Sequence, residues 1–273
     1  GIPRRPVKVI DDLIAALELI RERDRFTGYI HVKIVPGAEA AQVDRLTRLA
    51  SRVSVNLEAP CGASLTQIAP DKTFGVTLAA LERARAQVVA NRAEEAAGRP
   101  RDRLHPGGTA GITMQFVVGA TADTDATILD RVAGLYAGGG MHHSQFSAFR
   151  PIRDTPMEAV RAAPALREHR LYQADHLLRG YGFSADEVVY DERGNLPLSA
   201  DPKLAWALAH PERFPVEVRT APMEELRRVP GIGPGTARRI VAERGDTALR
   251  SLADLRKLGA ITARAAGFVT IAG

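Results

Sequence analysis

Apolar residues recur along the first half of the chain with two different periods. A spacing of three to four residues predicts four helices, at residues 10–23, around 43–50, at 74–91 and at 125–136. Alternating or continuous apolar runs predict four strands, at residues 29–35, 52–58, 112–118 and 144–149. Because these helices and strands alternate, we predict crossover connections and a parallel sheet, in an α/β fold that forms part of a β/α barrel. The run ITMQFVV at 112–118 is typical of a strand buried on both faces.

Polar or small residues stand near the carboxyl end of each predicted strand. The pairs, in chain order, are Lys33 and Pro36, Asn56 and Glu58, Gln115 and Gly119, and Ser147 and Arg150. In β/α barrels the site lies at these strand ends, so we expect these side chains to meet there. In the alternative interpretation, Lys33, Glu58 and Arg150 form an internal ion network that only fills the barrel.

The patterns predict three regions: a barrel-like domain at residues 1–156, a helical wrap or linker at 157–219, and a small helical domain at 220–273. A polar run at 91–110, with Gly and Pro towards its end, predicts a mobile surface connection inside the first region. The linker contains two helical patterns, at 164–180 and 203–209, separated by a turn-rich stretch at 190–198.

The small domain contains the most interpretable run of the chain, Val229–Arg239 (VPGIGPGTARR). A helical pattern enters this run and another leaves it, so the Gly and Pro residues between them form a hairpin. Gly231 and Gly233 can adopt positive φ, and Pro234 suits the first turn of the next helix. The start of that helix leaves N–H groups free at Gly233, Gly235 and Thr236, beside the positive end of the helix dipole.

We therefore interpret the hairpin as a grip on a nucleic-acid phosphate; the alternative is a tight turn between helices with no ligand. A second, weaker hairpin is predicted at Leu258–Ile261, and Ser251 begins the helix before it. The candidate DNA-binding residues are Gly231, Ile232, Gly233, Gly235, Thr236, Arg238, Arg239 and Gly259.

Charge is unevenly distributed and favours the same interpretation. The chain of 273 residues has a net charge of +5, and residues 220–273 contain nine Lys and Arg against five Asp and Glu. The remaining residues contain 28 against 27, so the basic character belongs mostly to the small domain. That distribution is expected of a nucleic-acid module attached to a nearly neutral body.

The composition excludes several other classes of protein. No apolar run reaches the length of a membrane span, and no signal peptide opens the sequence. The single Cys61 excludes an internal disulfide and fits a reducing cytoplasm. None of the seven histidines has a Cys or carboxylate at close metal spacing, so we predict no metal site. Because the first residue is Gly and not Met, we expect the chain to be a fragment whose start lies upstream.

These motifs together resemble known families. The tail resembles the helix-hairpin-helix DNA-binding domains of repair proteins. The body resembles the later strands, three to six, of a radical S-adenosylmethionine barrel. The segments that carry this second resemblance are Val53–Glu58, Leu65–Lys72, Phe116–Thr121 with Asp123–Asp125, and Phe149–Ile152 with Asp154–Pro156. In this order they resemble, over nearly the whole chain, the radical S-adenosylmethionine proteins associated with DNA modification or repair.

The resemblance implies an enzyme that uses S-adenosylmethionine and a 4Fe-4S cluster to generate a 5′-deoxyadenosyl radical. It implies that the cofactor lies against Asn56, Glu58, Gln115, Gly119, Ser147 and Arg150, with DNA held by the tail. The family's CxxxCxxC cluster loop is absent, because Cys61 is the single cysteine. The alternative is a non-catalytic DNA-binding scaffold with a degenerate or truncated barrel. A tail that binds protein or RNA is a third possibility.

Overall fold

The computed structural model describes residues 5–245 and 249–271. The opening residues 1–4, on which the expected truncation rests, lie outside the described residues. The chain divides into two compact units, Gly1–Glu168 and His169–Gly273. The three-region division at residues 156 and 219 stays a prediction.

The first unit is built on a four-stranded parallel sheet. Its strands are β1 (His31–Ile34), β2 (Arg52–Glu58), β3 (Ile112–Val118) and β4 (Met141–Ala148). They lie in the order β1-β2-β3-β4 and are parallel throughout. The predicted α/β class and parallel sheet are therefore confirmed, and β2 and β3 have the predicted bounds to the residue.

Helices connect these strands. They are α1 (Pro6–Glu18), which continues as a π-helical turn at Leu19–Arg23, α2 (Ala40–Leu49), α3 (Gly62–Ile68), α4 (Phe74–Ala96) and α5 (Asp125–Ala137). Helix α3 was not predicted, since its seven residues are too few to show a period. Helix α4 extends to Ala96, so the predicted connection at 91–110 begins later than expected. The end of this connection is held by backbone hydrogen bonds, from the Gly107 N–H to the Arg48 carbonyl oxygen and from the Gly108 N–H to the Ala50 carbonyl oxygen.

The sheet has one apolar face and one polar face. On β2 the side chains of Val53, Val55 and Leu57 are fully buried, whereas the residues between them are half-buried. On β3 the side chains of Gln115 and Val117 are only half-buried. The prediction that β3 is buried on both faces was therefore wrong for its second half. The polar face is the one that carries the predicted site residues.

A buried arginine holds in place the segment that leads into β1. The Arg21 side chain is fully buried, and its guanidinium donates hydrogen bonds to the carbonyl oxygens of Phe26, Gly28 and Leu49 at 2.8–2.9 Å and to the Ser51 hydroxyl at 3.2 Å. Burial lowers the pKa of Arg21. Because a buried charge needs partners, this network joins the segment before β1 to the end of α2.

The second unit is mainly helical. Its elements are the end of α6 (Ala165–His176) with a π-helical turn at Leu177–Tyr181, short 3-10 helices at Ala185–Glu187 and Pro211–Arg213, α7 (Pro202–Ala209), β5 (Val216–Glu217), α8 (Met223–Arg228), α9 (Pro234–Glu243), α10 (Leu252–Lys257), α11 (Thr262–Ala265) and β6 (Val269–Thr270). Strands β5 and β6 pair in parallel, so they join the two ends of the region that contains both hairpins. The residues described in both units include no helix long and apolar enough to cross a membrane.

Candidate nucleic-acid interface and sheet-edge cavity

The first hairpin joins α8 to α9 through Gly231, Ile232 and Gly233. Gly231 has a φ of +86°, a left-handed conformation that favours glycine. Ile232 is buried in the core, so its side chain is not exposed to a ligand. Gly233 is the N-cap of α9 with a φ of −89°, so the expectation of positive φ at this residue was wrong. Pro234 takes the first helical position, as predicted.

The second hairpin packs against the first. Gly259 has a φ of +94°, and the Thr236 hydroxyl donates to its carbonyl oxygen at 3.1 Å. In return, the Ile261 N–H donates to the Gly231 carbonyl oxygen at 2.9 Å. A Cβ atom placed on Gly231 would lie 2.5 Å from the Ile261 carbonyl oxygen. Each hairpin glycine therefore allows close contact with the other hairpin, and the two hairpins form one structural pair.

The start of α9 offers hydrogen-bond donors. Within the described residues, the N–H groups of Gly233, Gly235 and Thr236 have no acceptor. Helix α9 has ten residues, so the positive end of its dipole reinforces these donors. This arrangement can bind an anion such as a phosphate.

The two arginines that follow have different surroundings. Arg238 is exposed and has no hydrogen bond or ion pair among the described residues. The Arg239 guanidinium instead donates to the Leu258 carbonyl oxygen at 2.7 Å and approaches the Thr236 hydroxyl at 3.5 Å. Arg239 therefore helps to hold the second hairpin, and Arg238 is the arginine free to meet a ligand.

A groove of about 510 Å³ lies beside the hairpin pair. Of the candidate DNA-binding residues, Gly231, Ile232, Gly233, Thr236 and Gly259 line it, whereas Gly235, Arg238 and Arg239 do not. The other polar and aromatic residues that line the groove were not among the candidate DNA-binding residues; they are Tyr172, Gln173, His176, Tyr181, Asp201, Lys203 and Arg264. The one local signal was Asp201-Pro202, a helix start whose Asp201 side chain accepts a hydrogen bond from the Leu204 N–H at 3.2 Å.

Lys203 is the most unusual residue of this groove. Its side chain is buried, and its ammonium donates to the Ile232 carbonyl oxygen and lies 4.5 Å from the centroid of the Tyr181 ring. The pKa of Lys203 is lowered to about 7, mainly by burial and also by the nearby Arg264, while Asp201 opposes the shift. Arg264 itself forms an ion pair with Asp201.

A second cavity, of about 570 Å³, lies at the carboxyl ends of β2, β3 and β4. Glu58, Lys72, Ser147 and Arg150 are among its lining residues. A β-bulge between Asn56 and Glu58 shifts the register of β2 against β3, and Glu58 has a φ of +65°. A non-glycine residue in this conformation is uncommon and occurs often at functional sites.

The charged groups at this cavity do not form the internal network that we considered. Glu58 pairs with Lys72 at 2.6 Å, and both side chains are largely buried. Arg150 is exposed and has no partner among the described residues. The alternative network of Lys33, Glu58 and Arg150 is therefore not formed, and Arg150 keeps its charge free at the rim.

The remaining predicted residues lie nearby without lining the cavity. The Asn56 side-chain amide donates to the Gln115 side-chain oxygen at 2.7 Å, which joins β2 to β3 across the polar face. Gly119 has a φ of +82°, and a Cβ atom there would lie 2.7 Å from the Cβ of Ala163. Packing against Ala163 therefore accounts for glycine at this position without a ligand.

Cys61 is the N-cap of α3 and is half-buried. Its Sγ lies 3.4 Å from the Ser64 hydroxyl, and that contact lowers the pKa of the thiol. The described parts of the chain contain no group of three His, Cys, Asp or Glu residues that could hold a metal ion.

Comparison with known proteins identifies one segment. Residues 213–269 match the helix-hairpin-helix motif family. The match begins at the 3-10 helix before β5 and ends on β6, so it spans both hairpins and the strands that close them. No curated protein and no solved structure matches the chain. The second unit therefore contains a helix-hairpin-helix region, which suggests sequence-independent DNA binding; the match does not extend to the parallel sheet.

Proposed function

We propose that the hairpin pair binds the sugar-phosphate backbone of DNA without sequence preference. The observation that carries this proposal is the free start of α9, where three unpaired N–H groups stand beside the unpartnered Arg238 within the matched motif. Backbone N–H groups and arginine are donors for phosphate oxygens, and phosphate contacts position a protein without reading the bases. The excess of positive charge in residues 220–273 adds long-range attraction.

The salt dependence of binding tests this proposal. For Arg238→Ala, we expect weaker binding to a blunt DNA duplex and a slope of log K against log salt that is smaller by about one, because one phosphate contact is lost. Fluorescence anisotropy with a labelled duplex gives both quantities. The matched control is Arg103→Ala, which removes one exposed positive charge from the first unit. If both variants bind like the unmodified chain, the phosphate grip at α9 is refuted.

We propose, as the finer hypothesis, that the first unit is part of a radical S-adenosylmethionine enzyme and that its sheet-edge cavity binds this cofactor. The volume lies within the range of small-molecule sites, and the lining combines apolar residues with Glu58, Lys72 and Arg150. The Glu58 carboxylate suits the cofactor's ammonium group, and the Arg150 guanidinium suits its carboxylate. When bound with a cluster, this cofactor would supply a radical for hydrogen abstraction.

The donor set does not fit the cluster. A cluster of this type needs several cysteine thiolates, and the sequence contains Cys61 alone. We therefore assign no reaction step to residues of this chain. The same observation favours the second candidate function, a DNA-binding scaffold in which the sheet unit has no catalytic role.

Calorimetric titration of S-adenosylmethionine into the protein separates the two functions. Cofactor binding that weakens at least roughly ten-fold in Glu58→Gln and in Arg150→Ala supports the enzyme hypothesis, since each change removes a charge-assisted contact. Arg103→Ala again serves as the control. If the protein is a scaffold, titration of S-adenosylmethionine into the unmodified chain should give no heat of binding.

A further inference from the structure

The groove beside the hairpin pair is also lined by aromatic residues that binding of the DNA backbone does not require. Tyr172 and His176 are four residues apart on α6, so they lie on one face of that helix, and both are exposed. The ring of Tyr181 lies 5.5 Å from the ring of His176. All three rings line the groove. A cluster of accessible rings at a nucleic-acid site is the usual platform for stacking bases.

The hairpin pair lines another part of the same groove. Gly231, Gly233 and Gly259 line it with bare backbone, and Ile261 adds an apolar side chain that is 58% exposed. A Cβ atom on Gly233 would lie 3.5 Å from the Tyr181 hydroxyl, so the aromatic wall begins where the anion-binding helix start lies. The groove therefore places flat rings directly beside donors for a phosphate.

Polar side chains also line the groove. The buried Lys203 amine is held by the Ile232 carbonyl oxygen, and the Asp201–Arg264 ion pair lies beside it. The groove thus offers a stacking surface and phosphate donors. A nucleotide has the matching parts, which are a flat base and a phosphate. A volume of about 510 Å³ is that of a small-molecule site and is too small for a duplex.

We propose that this groove holds one unpaired nucleotide of the bound DNA, with its base stacked against Tyr172 and His176 and its phosphate at the start of α9. The proposal rests on the backbone grip described above and narrows its substrate class from any duplex to DNA with an extrahelical or unpaired nucleotide. Stacking uses the face of the base, so the preference is for an unpaired base and not for a particular one.

Anisotropy titrations with three DNA duplexes of equal length test the proposal. The duplexes are a blunt duplex, the same duplex with one bulged nucleotide, and the bulged duplex with an abasic analogue in place of that nucleotide. We expect the bulged duplex to bind roughly ten-fold tighter than the blunt duplex, which is the effect of one base stacked on an aromatic ring. We expect the abasic bulge to lose this advantage, because it retains the bend of the backbone but lacks the base.

Variants locate the effect. We expect Tyr172→Ala and His176→Ala to abolish the preference for the bulge while keeping the affinity for the blunt duplex, and Tyr172→Phe to retain the preference. Arg238→Ala is expected to weaken binding to all three duplexes by the same factor. Both alanine changes are at exposed positions, and Trp206 fluorescence verifies that the unit remains folded.

The outcomes distinguish the two proposals. Equal affinity for the blunt and bulged duplexes overturns the nucleotide site and leaves the backbone grip intact. An advantage that persists with the abasic bulge, or in both alanine variants, also overturns the nucleotide site, because the protein would then recognise a bend. No binding to any of the three duplexes overturns the backbone grip together with the nucleotide site.

Discussion

The buried Lys203 makes the stability of the second unit depend on pH. Its side chain is 7% exposed, and desolvation lowers its pKa from 10.5 to about 7. In the unfolded chain the same lysine holds its proton up to about pH 10. Between these two values the unfolded state therefore binds about one proton more than the folded state. Stability must rise with pH across that interval.

The size of the effect follows from the same numbers. One proton of difference corresponds to about 1.4 kcal/mol of unfolding free energy for each pH unit. Lys203 should therefore add roughly 3 kcal/mol between about pH 7 and about pH 9, and nothing further below its folded pKa. Burial raises the pKa of Tyr181, which faces the same amine, so the measurement stays below the range where that phenol ionises.

Urea unfolding followed by Trp206 fluorescence measures this contribution. Trp206 is the single tryptophan of the sequence, it is buried, and it lies on α7 with Lys203. We expect Lys203→Met to remove the rise of stability with pH. The same mutation also removes the hydrogen bond to the Ile232 carbonyl oxygen. That loss should lower the unfolding free energy by about 1 kcal/mol equally at every pH.

The control is Lys257→Met, which removes an exposed lysine from α10 of the same unit, with 77% of its side chain accessible. Its pH dependence should follow that of the unmodified chain. Parallel curves for Lys203→Met and the unmodified chain would show that the Lys203 amine keeps an ordinary pKa, and would refute the reasoning from burial.

Two further predictions concern stability. Gly231→Ala should lower the unfolding free energy of the second unit by about 1–2 kcal/mol, because Gly231 has a left-handed φ and a Cβ there would clash with the Ile261 carbonyl oxygen. Gly233→Ala should cost less than half as much, because Gly233 has a φ of −89° and the nearest atom to its Cβ would be the Tyr181 hydroxyl at 3.5 Å; an equal loss for both variants in the Trp206 unfolding assay would contradict this prediction. Arg21→Met should destabilise the first unit by several kcal/mol, because it leaves three carbonyl groups without their donor. Thermal melting followed by circular dichroism measures this loss, and a melting temperature within about one degree of the unmodified chain would contradict the prediction.

Elements with a strong local signal could be predicted from the sequence. Strands β2 and β3 were placed to the residue because their apolar pattern is set by which face of the sheet is buried, and that pattern is visible in seven consecutive residues. The first hairpin was visible for a similar reason, since Gly231 and Pro234 are chosen by local backbone geometry. Short α3 lacked such a pattern and was missed.

The partners of the site residues could not be predicted in this way. Arg238 and Arg239 are adjacent and look equivalent in the sequence, yet only Arg239 is bonded, to the Leu258 carbonyl oxygen nineteen positions away. Glu58 lies at a bulge in β2 and pairs with Lys72, not with Lys33 or Arg150.

The sequence by itself determined the parallel α/β sheet, the two hairpins and the concentration of positive charge beside them. Each depends on periodicity, turn chemistry or composition, which are local properties. Only the tertiary structure decided that Lys203 lies beneath the hairpin, 29 positions from the Ile232 carbonyl that it binds, and that Tyr172 and His176 line the same groove. The reason is physical: burial, a lowered pKa and a shared groove arise from contacts between distant segments, and a local pattern carries no record of which distant segment will be the neighbour.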